Sequence, residues 1–419
     1  DNFDFVTVSN NVPRLLKILQ RLKQLPSSYI FDEKIQRCET IIQDCLGLHA
    51  EVLGEQFSFN QGDSVLLKAN LINRSGLSVL LSKVEMSTGE KFELDEKLLL
   101  NEPLALDLKS NGKTDISNPY WLNEPFGTTF KVSDSSDFCA PESRPSITLK
   151  FTFLVDDQPF SISIPAAYKW RDPSYGERRR PLISTPGYTA SFEEQQLLTK
   201  SGEPKEVRIK IKIFRDSLNT TLKIMAPKGW TISPNKIHLE FNTMHAEEWF
   251  VLTVEAAKDA KSGTVKLSQE DGTKLFNYKE ITYDHIPTQA LFRTAFMQCT
   301  VLDAKIKAGR IAYIKGVDDA VPQAIEQLGF KLDFFEVKDI PSIDFAKYQS
   351  VVLGIRIYNV HPELLNYSER LNEYVKNGGN LLMQYNTAYR SLEGKQFGPY
   401  PFELSRNRVT EEDAEVTFL

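Results

Sequence analysis

Between residues 308 and 386, short apolar runs alternate with stretches whose apolar residues recur at helical spacing. Ile311–Ile314, Leu332–Val337, Val351–Leu353 and Asn380–Met383 read as buried strands, and Asp319–Leu328 and Glu363–Lys376 as the helices between them. That alternation predicts a parallel sheet wrapped by helices, whose ligands sit beyond the carboxyl ends of the strands. At those ends stand Gly316-Val317-Asp318-Asp319, Arg356-Ile357-Tyr358-Asn359 and Gln384-Tyr385-Asn386. Asp318 or Asp319 is placed to cap the first helix. Gly329 and Gly378-Gly379 end the two helices, where positive φ favours glycine.

The preceding chain changes period twice. Over 11–49, Val12, Leu15, Leu16, Leu19 and Leu22 make one helical stripe. Pro26-Ser27-Ser28 breaks it, and Phe31, Ile35, Cys38, Ile42 and Cys45 make a second. Neither helix buries its stripe alone, so the pair is expected to fold back and dock on the next domain. From 51 to 170 the period is two, as in Val65–Asn70 and Ile147, Leu149, Phe151, Phe153, Val155, with Asp156-Asp157-Gln158-Pro159 as a hairpin turn before Phe160, Ile162 and Ile164. This predicts a β-sandwich. Arg171–Pro186, rich in Pro, Gly and Arg, reads as a linker with a solvated charge run and room for an interdomain ion pair. A second β segment follows over 187–285, where Val207, Ile209, Ile211 and Ile213 alternate with Arg and Lys.

At 419 residues, with 41% hydrophobic and 25% charged residues, the chain has the composition of a multidomain globular protein. The net charge of −6 is dispersed, and Arg178-Arg179-Arg180 is too short a basic run to suggest nucleic acid. No apolar stretch approaches the roughly 20 residues of a membrane span. The chain opens on Asp1 and stops in a strand-like Glu415–Leu419, so both ends read as cut. Four cysteines do not make a disulfide scaffold. Cys38 and Cys45 would lie about 10 Å apart on one helix face, beyond the roughly 7 Å reach of a disulfide, and read as buried thiols.

Known chemistries fit poorly. A glutamine amidotransferase needs a cysteine nucleophile after a strand, and here Met383-Gln384-Tyr385-Asn386 occupies that place. No Gly-x-x-x-x-Gly-Lys or Gly-x-Gly-x-x-Gly loop is present. His49, His238, His245, His285 and His361 are scattered, without His-x-x-x-His or Cys-x-x-Cys spacing for zinc. The polar strand tips remain: Arg356, Tyr358, Asn359, Gln384, Tyr385 and Asn386 converge if their strands are neighbours. A guanidinium fork with several amides suits a sugar or carboxylate. The blander reading of the same groups is that they hold the loop Gly398–Asp413, or a neighbouring domain. No catalytic or metal-ligating residue is assigned.

The Ala226-Pro227-Lys228-Gly229-Trp230 turn with Pro234, and the later Ala260-Lys261-Ser262-Gly263 turn, resemble immunoglobulin-like modules appended to bacterial carbohydrate-active enzymes. Trp230 is then a core residue or a sugar-stacking one. The α/β segment resembles flavodoxin-like and class I amidotransferase-like domains. The order of parts as a whole is similar to the region that follows the catalytic domain in large bacterial PIG-L (LmbE-like) deacetylases. Ile72-Asn73-Arg74-Ser75, Pro119-Tyr120-Trp121-Leu122, Tyr283-Asp284-His285-Ile286-Pro287, Gly354-Ile355-Arg356-Ile357-Tyr358-Asn359, Tyr374-Val375-Lys376-Asn377-Gly378-Gly379 and Gly398-Pro399-Tyr400-Pro401-Phe402, with Arg408-Val409-Thr410 and Asp413 behind it, carry that similarity.

The resemblance implies a multidomain fold: a helical hairpin (1–50), a β-sandwich (51–170), an immunoglobulin-like sandwich (171–290) and an incomplete α/β domain with a parallel sheet (308–419). It implies a non-catalytic accessory region whose partners are an upstream deacetylase domain and glycan, in a periplasmic or extracellular setting. That family's zinc is held by an Ala-His-Pro-Asp-Asp-Glu motif. His361-Pro362 followed by Glu363-Leu364 does not match it, so zinc is expected only in the upstream domain and no cofactor here. Two other readings are a small-molecule binding protein using the strand tips, and an enzyme of unfamiliar chemistry in the α/β domain.

Overall fold

A computed structural model describes the chain except residues 1–2, 125, 126, 128, 303, 308, 401, 408, 410–413 and 415–419. It is a mostly β, multidomain structure with a short helical pair at the amino end. Val12–Lys23 and Tyr29–Leu46 are the two helices. The Ser28 side chain caps the second by accepting the Phe31 N–H, and Gly47, in the left-handed region, ends it. Val12, Leu16, Leu19, Cys38, Ile42 and Cys45 share one core with the following β domain, so the pair docks there as its stripes require. Glu39 fastens it, taking Lys23 at 2.7 Å and the Ser161 N–H at 3.4 Å. Cys38 and Cys45 are free buried thiols.

The first β domain packs two sheets face to face. One has the order Gly176–Pro181, Ala167–Asp172, His49–Gly54, Val65–Ile72, Pro103–Ser110; the other runs Lys91–Leu98, Val79–Met86, Thr148–Val155, Gln158–Pro165. Alternation in Val65–Ile72 sends Val65, Leu67, Ala69 and Leu71 inward, and Phe151, Phe153 and Phe160 meet them from the other sheet. Asp156 and Asp157 both take positive φ in the tight hairpin predicted for them.

Arg171–Pro186 is not a linker. It completes the first sandwich through the Ala167–Asp172/Gly176–Pro181 hairpin, and Ile183–Thr185 then pairs in parallel with Ser58–Asn60. Two of its arginines are engaged. Arg179 reaches buried Glu51, which Lys169 also holds at 2.8 Å, and Arg180 bonds Glu280 across the domain boundary at 3.1 Å.

The second sandwich sets Tyr188–Phe192, Lys205–Ile213, Glu247–Ala256 and Trp230–Ser233 against Gln196–Thr199, Phe296–Val301, Gly263–Ser268, Leu218–Met225 and Lys236–Phe241. Trp230 is a core residue whose indole N–H donates to the Lys261 carbonyl at 2.9 Å. A separate hairpin, Phe276–Ile281 with Gln289–Thr294, carries Tyr278 and Phe292 to the boundary with the first sandwich.

The last sheet has the order Lys331–Phe335, Arg310–Ile314, Ser350–Leu353, Asn380–Met383, and every pairing is parallel. Ala312, Ile314, Val351 and Leu353 face Leu364, Leu371 and Tyr374, while Ile311, Tyr313 and Val352 face Val321 and Ile325 of the helix Val321–Gln327. The second predicted helix is split into a 3-10 stretch, Pro362–Tyr367, and an α-helix, Ser368–Lys376. The Gln327 side chain hooks this unit to the second sandwich. Its oxygen accepts the Leu198 N–H at 2.8 Å and its amide donates to the Gln196 carbonyl at 3.1 Å. The strand-like Glu415–Leu419, and Pro401, Arg408, Thr410 and Asp413 of the quoted motifs, lie outside the described residues.

Candidate functional site

Strand order reverses between Arg310–Ile314 and Ser350–Leu353, the place where open α/β sheets accommodate ligands. Here the two segments leaving the sheet touch. The Gly354 N–H donates to the Ile314 carbonyl at 2.8 Å, and the Val317 N–H to the Ile355 carbonyl at 2.9 Å. A Cβ on Gly316 would lie 2.3 Å from the Ile355 oxygen, and one on Gly354 only 2.5 Å from the Gly316 nitrogen. Backbone therefore occupies the reversal point, and polar side chains collect to one side of it.

Asp319 does not sit at the helix N-cap, which is Ala320, but its Oδ1 accepts the Val321 N–H at 2.7 Å. Its Oδ2 accepts the Tyr313 hydroxyl at 2.8 Å, and that hydroxyl accepts from the Gln384 amide at 2.7 Å. Burial, reinforced by the Asp319 carboxylate, pushes the Tyr313 phenol well above its ordinary range. The sequence reading named Gln384 and missed Tyr313. An apolar-flanked tyrosine inside a strand gives no sign of having a polar partner.

The tips after Leu353 and Met383 do converge, because those strands are neighbours. Arg356 takes φ 55°, and its N–H donates to the Tyr385 carbonyl at 2.7 Å. A left-handed arginine is unusual and marks an over-determined turn. Asn386 Oδ1 accepts the Tyr358 N–H at 3.0 Å, and its amide donates to the Gln384 carbonyl at 2.9 Å. Asn359 pairs with Thr387 like a strand neighbour, its amide donating to the carbonyl at 2.9 Å and its oxygen accepting the N–H at 2.8 Å. Tyr358 is fully buried, with its hydroxyl on the Phe397 carbonyl at 3.2 Å, and burial pushes its phenol up to about 12.

Of the six candidate side chains, Tyr358, Asn359, Gln384 and Asn386 are engaged within the chain. Arg356 and Tyr385 point outward, and the Arg356 guanidinium has no hydrogen bond or ion pair among the described residues. Beside Tyr385 lies an open hollow of about 770 Å³, also lined by Thr387, Tyr389, Arg390, Ser405 and Arg406. Those residues fall in a segment without periodicity, which gave the sequence reading nothing to follow.

Among the described residues, no group of three or more His, Cys, Asp or Glu side chains could hold a metal ion. His361 stands apart with Glu363 at 3.0 Å. No helix among the described residues is long and apolar enough to cross a membrane.

No family model and no curated protein matches the chain. Solved structures with local likeness include a chain of a type I cohesin–dockerin complex from Clostridium thermocellum, at 11% identity and TM-score 0.15, covering 27% of this chain and 99% of that one. A type I cohesin from Pseudobacteroides cellulosolvens matches at 11% identity and TM-score 0.17, over 29% of this chain and 96% of that one. A Salmonella alpha-2-macroglobulin matches at 8% identity and TM-score 0.21, over 61% of this chain and 16% of that one. Likeness at this level assigns no family and no function.

Proposed function

We propose that this chain is a non-catalytic accessory region of a PIG-L-like, zinc-dependent N-acetyl-sugar deacetylase, and that it positions the catalytic domain and contacts glycan. The family link rests on the motifs quoted above. The supporting observation is the use made of the strand tips. Tyr358, Asn359 and Asn386 tie the turn 357–359 to the segment 384–397, so these side chains serve the fold. Mixing the chain with a PIG-L-like catalytic domain tests this. Binding together with increased kcat/KM on an N-acetyl-sugar polymer is expected. Zinc-dependent hydrolysis by the chain alone would refute it.

A second reading has its own support. The outward Arg356 guanidinium, and the hollow carrying Tyr385, Tyr389, Arg390 and Arg406, offer cationic and phenolic groups to an anionic sugar or a carboxylate. Calorimetric titration with glucuronate and acetate, against the neutral sugar glucose, separates this reading from the first.

A further inference from the structure

The two sandwiches meet over an aromatic cluster distinct from either core, with Phe57 from the first and Phe214, Tyr278 and Phe292 from the second. His245, between the strands Lys236–Phe241 and Glu247–Ala256, joins it. Its ring stacks on Phe57 with centroids 4.8 Å apart and planes at 13°, and meets Phe214 edge-on at 5.8 Å. Neither ring nitrogen is exposed, and neither has a hydrogen-bond partner among the described residues. The Ile213 carbonyl accepts the His245 N–H at 3.0 Å, which anchors the turn while leaving the imidazole unanswered.

The charges around this ring are accounted for. Arg180 lies 4.4 Å over the Phe57 ring and bonds Glu280 at 3.1 Å. Lys212 lies 5.8 Å from the Phe214 ring and 5.1 Å from the Tyr278 ring, and bonds Glu247 at 2.9 Å. Glu247 is also held by Lys210. Asp63 of the first sandwich pairs with Arg215, beside Phe214, at 3.5 Å, so the three carboxylates Glu247, Glu280 and Asp63 are all committed to cations. A neutral imidazole can remain here at the cost of one unmet N–H and one unmet acceptor nitrogen. An imidazolium would bring two unmet donors and a further positive charge beside Arg180, Lys212 and Arg215.

We propose that His245 is an acid-sensitive latch between the two sandwiches: the neutral ring closes the junction, and the proton it takes up opens it. Burial first, then Lys212 and Arg180, lowers its pKa in the closed form. Once the junction opens, the ring regains its ordinary value of about 6.5. The closed form therefore binds fewer protons, and its stability is complete above about pH 6.5. Below that pH the closed-to-open ratio falls, by up to about tenfold per pH unit, until the closed-state pKa is reached.

The test uses the full chain carrying spin labels on Glu96→Cys and Lys258→Cys, with Cys139→Ser removing the exposed native thiol. Urea is raised at pH 7.5 and at pH 5.5, and the separation of the labels is followed. The wild-type ring should let the sandwiches part at lower urea at pH 5.5, whereas His245→Phe, which keeps the stack, should show no such shift. A titration of the isotopically labelled His245 ring should give a pKa below about 6.5. An equal shift in both proteins, no shift in the wild type, or titration at or above the ordinary value would overturn the proposal. The ring titration decides alone if His245→Phe does not fold.

Discussion

Gly316 and Gly354 stand backbone to backbone at the reversal of strand order, with the Gly354 N–H on the Ile314 carbonyl and a Cβ on Gly354 placed 2.5 Å from the Gly316 nitrogen. Two main chains this close leave no room for a methyl group on either. Gly354→Ala should therefore force the segments apart and destabilise the unit built on this sheet by about 2–4 kcal/mol. Urea unfolding followed by Tyr fluorescence reads this, and a neutral substitution would rule out the close approach.

Arg356 offers a cleaner separation of roles. Its positive φ suits glycine, so Arg356→Gly should keep stability or raise it by up to about 1 kcal/mol, and Arg356→Ala should not. Both remove the guanidinium. If glucuronate binds at the strand tips, both variants weaken binding in calorimetry, whatever their stability.

Asn386 and Tyr358 hold the segment that crosses the sheet edge. Asn386→Ala leaves the buried Tyr358 N–H unmet and should cost about 1–3 kcal/mol. Tyr358→Phe keeps the ring's edge-on contact with Phe397, at 5.0 Å, and loses only the hydroxyl, so about 1 kcal/mol is expected. Thermal unfolding of the two variants should rank them in that order.

The Gln327 hook predicts a local effect. Gln327→Ala frees the Leu198 N–H, and hydrogen exchange at Leu198 should quicken by about tenfold. Exchange at Val351, in the middle of the parallel sheet, should not change.

Alkaline pH probes the phenols. Burial holds Tyr188, Tyr278 and Tyr358 each near 12 and pushes Tyr313 up as well, so the folded chain keeps protons that the unfolded chain releases at about pH 10. Their contribution is complete below pH 10 and is lost as pH rises beyond it. Denaturant midpoints between pH 8 and 11 should fall above 10, and less steeply in Tyr313→Phe.

Periodicity made the parallel sheet and the inward residues of both sandwiches readable, because burial on one face or both leaves a mark every second residue or in a run. The Gly176–Pro181 strand carried no such mark. Glu177, Arg178 and Arg179 are all exposed along it, so a sheet edge looked like a linker. At the candidate site, the strand pattern marked the polar tips after Leu353 and Met383, but their convergence needed those strands to be neighbours, which only the sheet order supplies. Nothing marked the destination of their side chains. Asn359 and Asn386 turn toward backbone beside an Arg356 in the left-handed region, a conformation that no local pattern announces. The Tyr313–Asp319–Gln384 chain depends on three segments meeting in space.

The parallel pairing of Ile183–Thr185 with Ser58–Asn60 has a consequence for synthesis. During translation, the amino-terminal sandwich stays unfinished until residue 185 clears the ribosomal tunnel, and the outer edge of His49–Gly54 is bare until Ala167–Asp172 emerges. A nascent chain halted at 170 should therefore recruit chaperones, and one halted beyond the tunnel length past 185 should fold unaided.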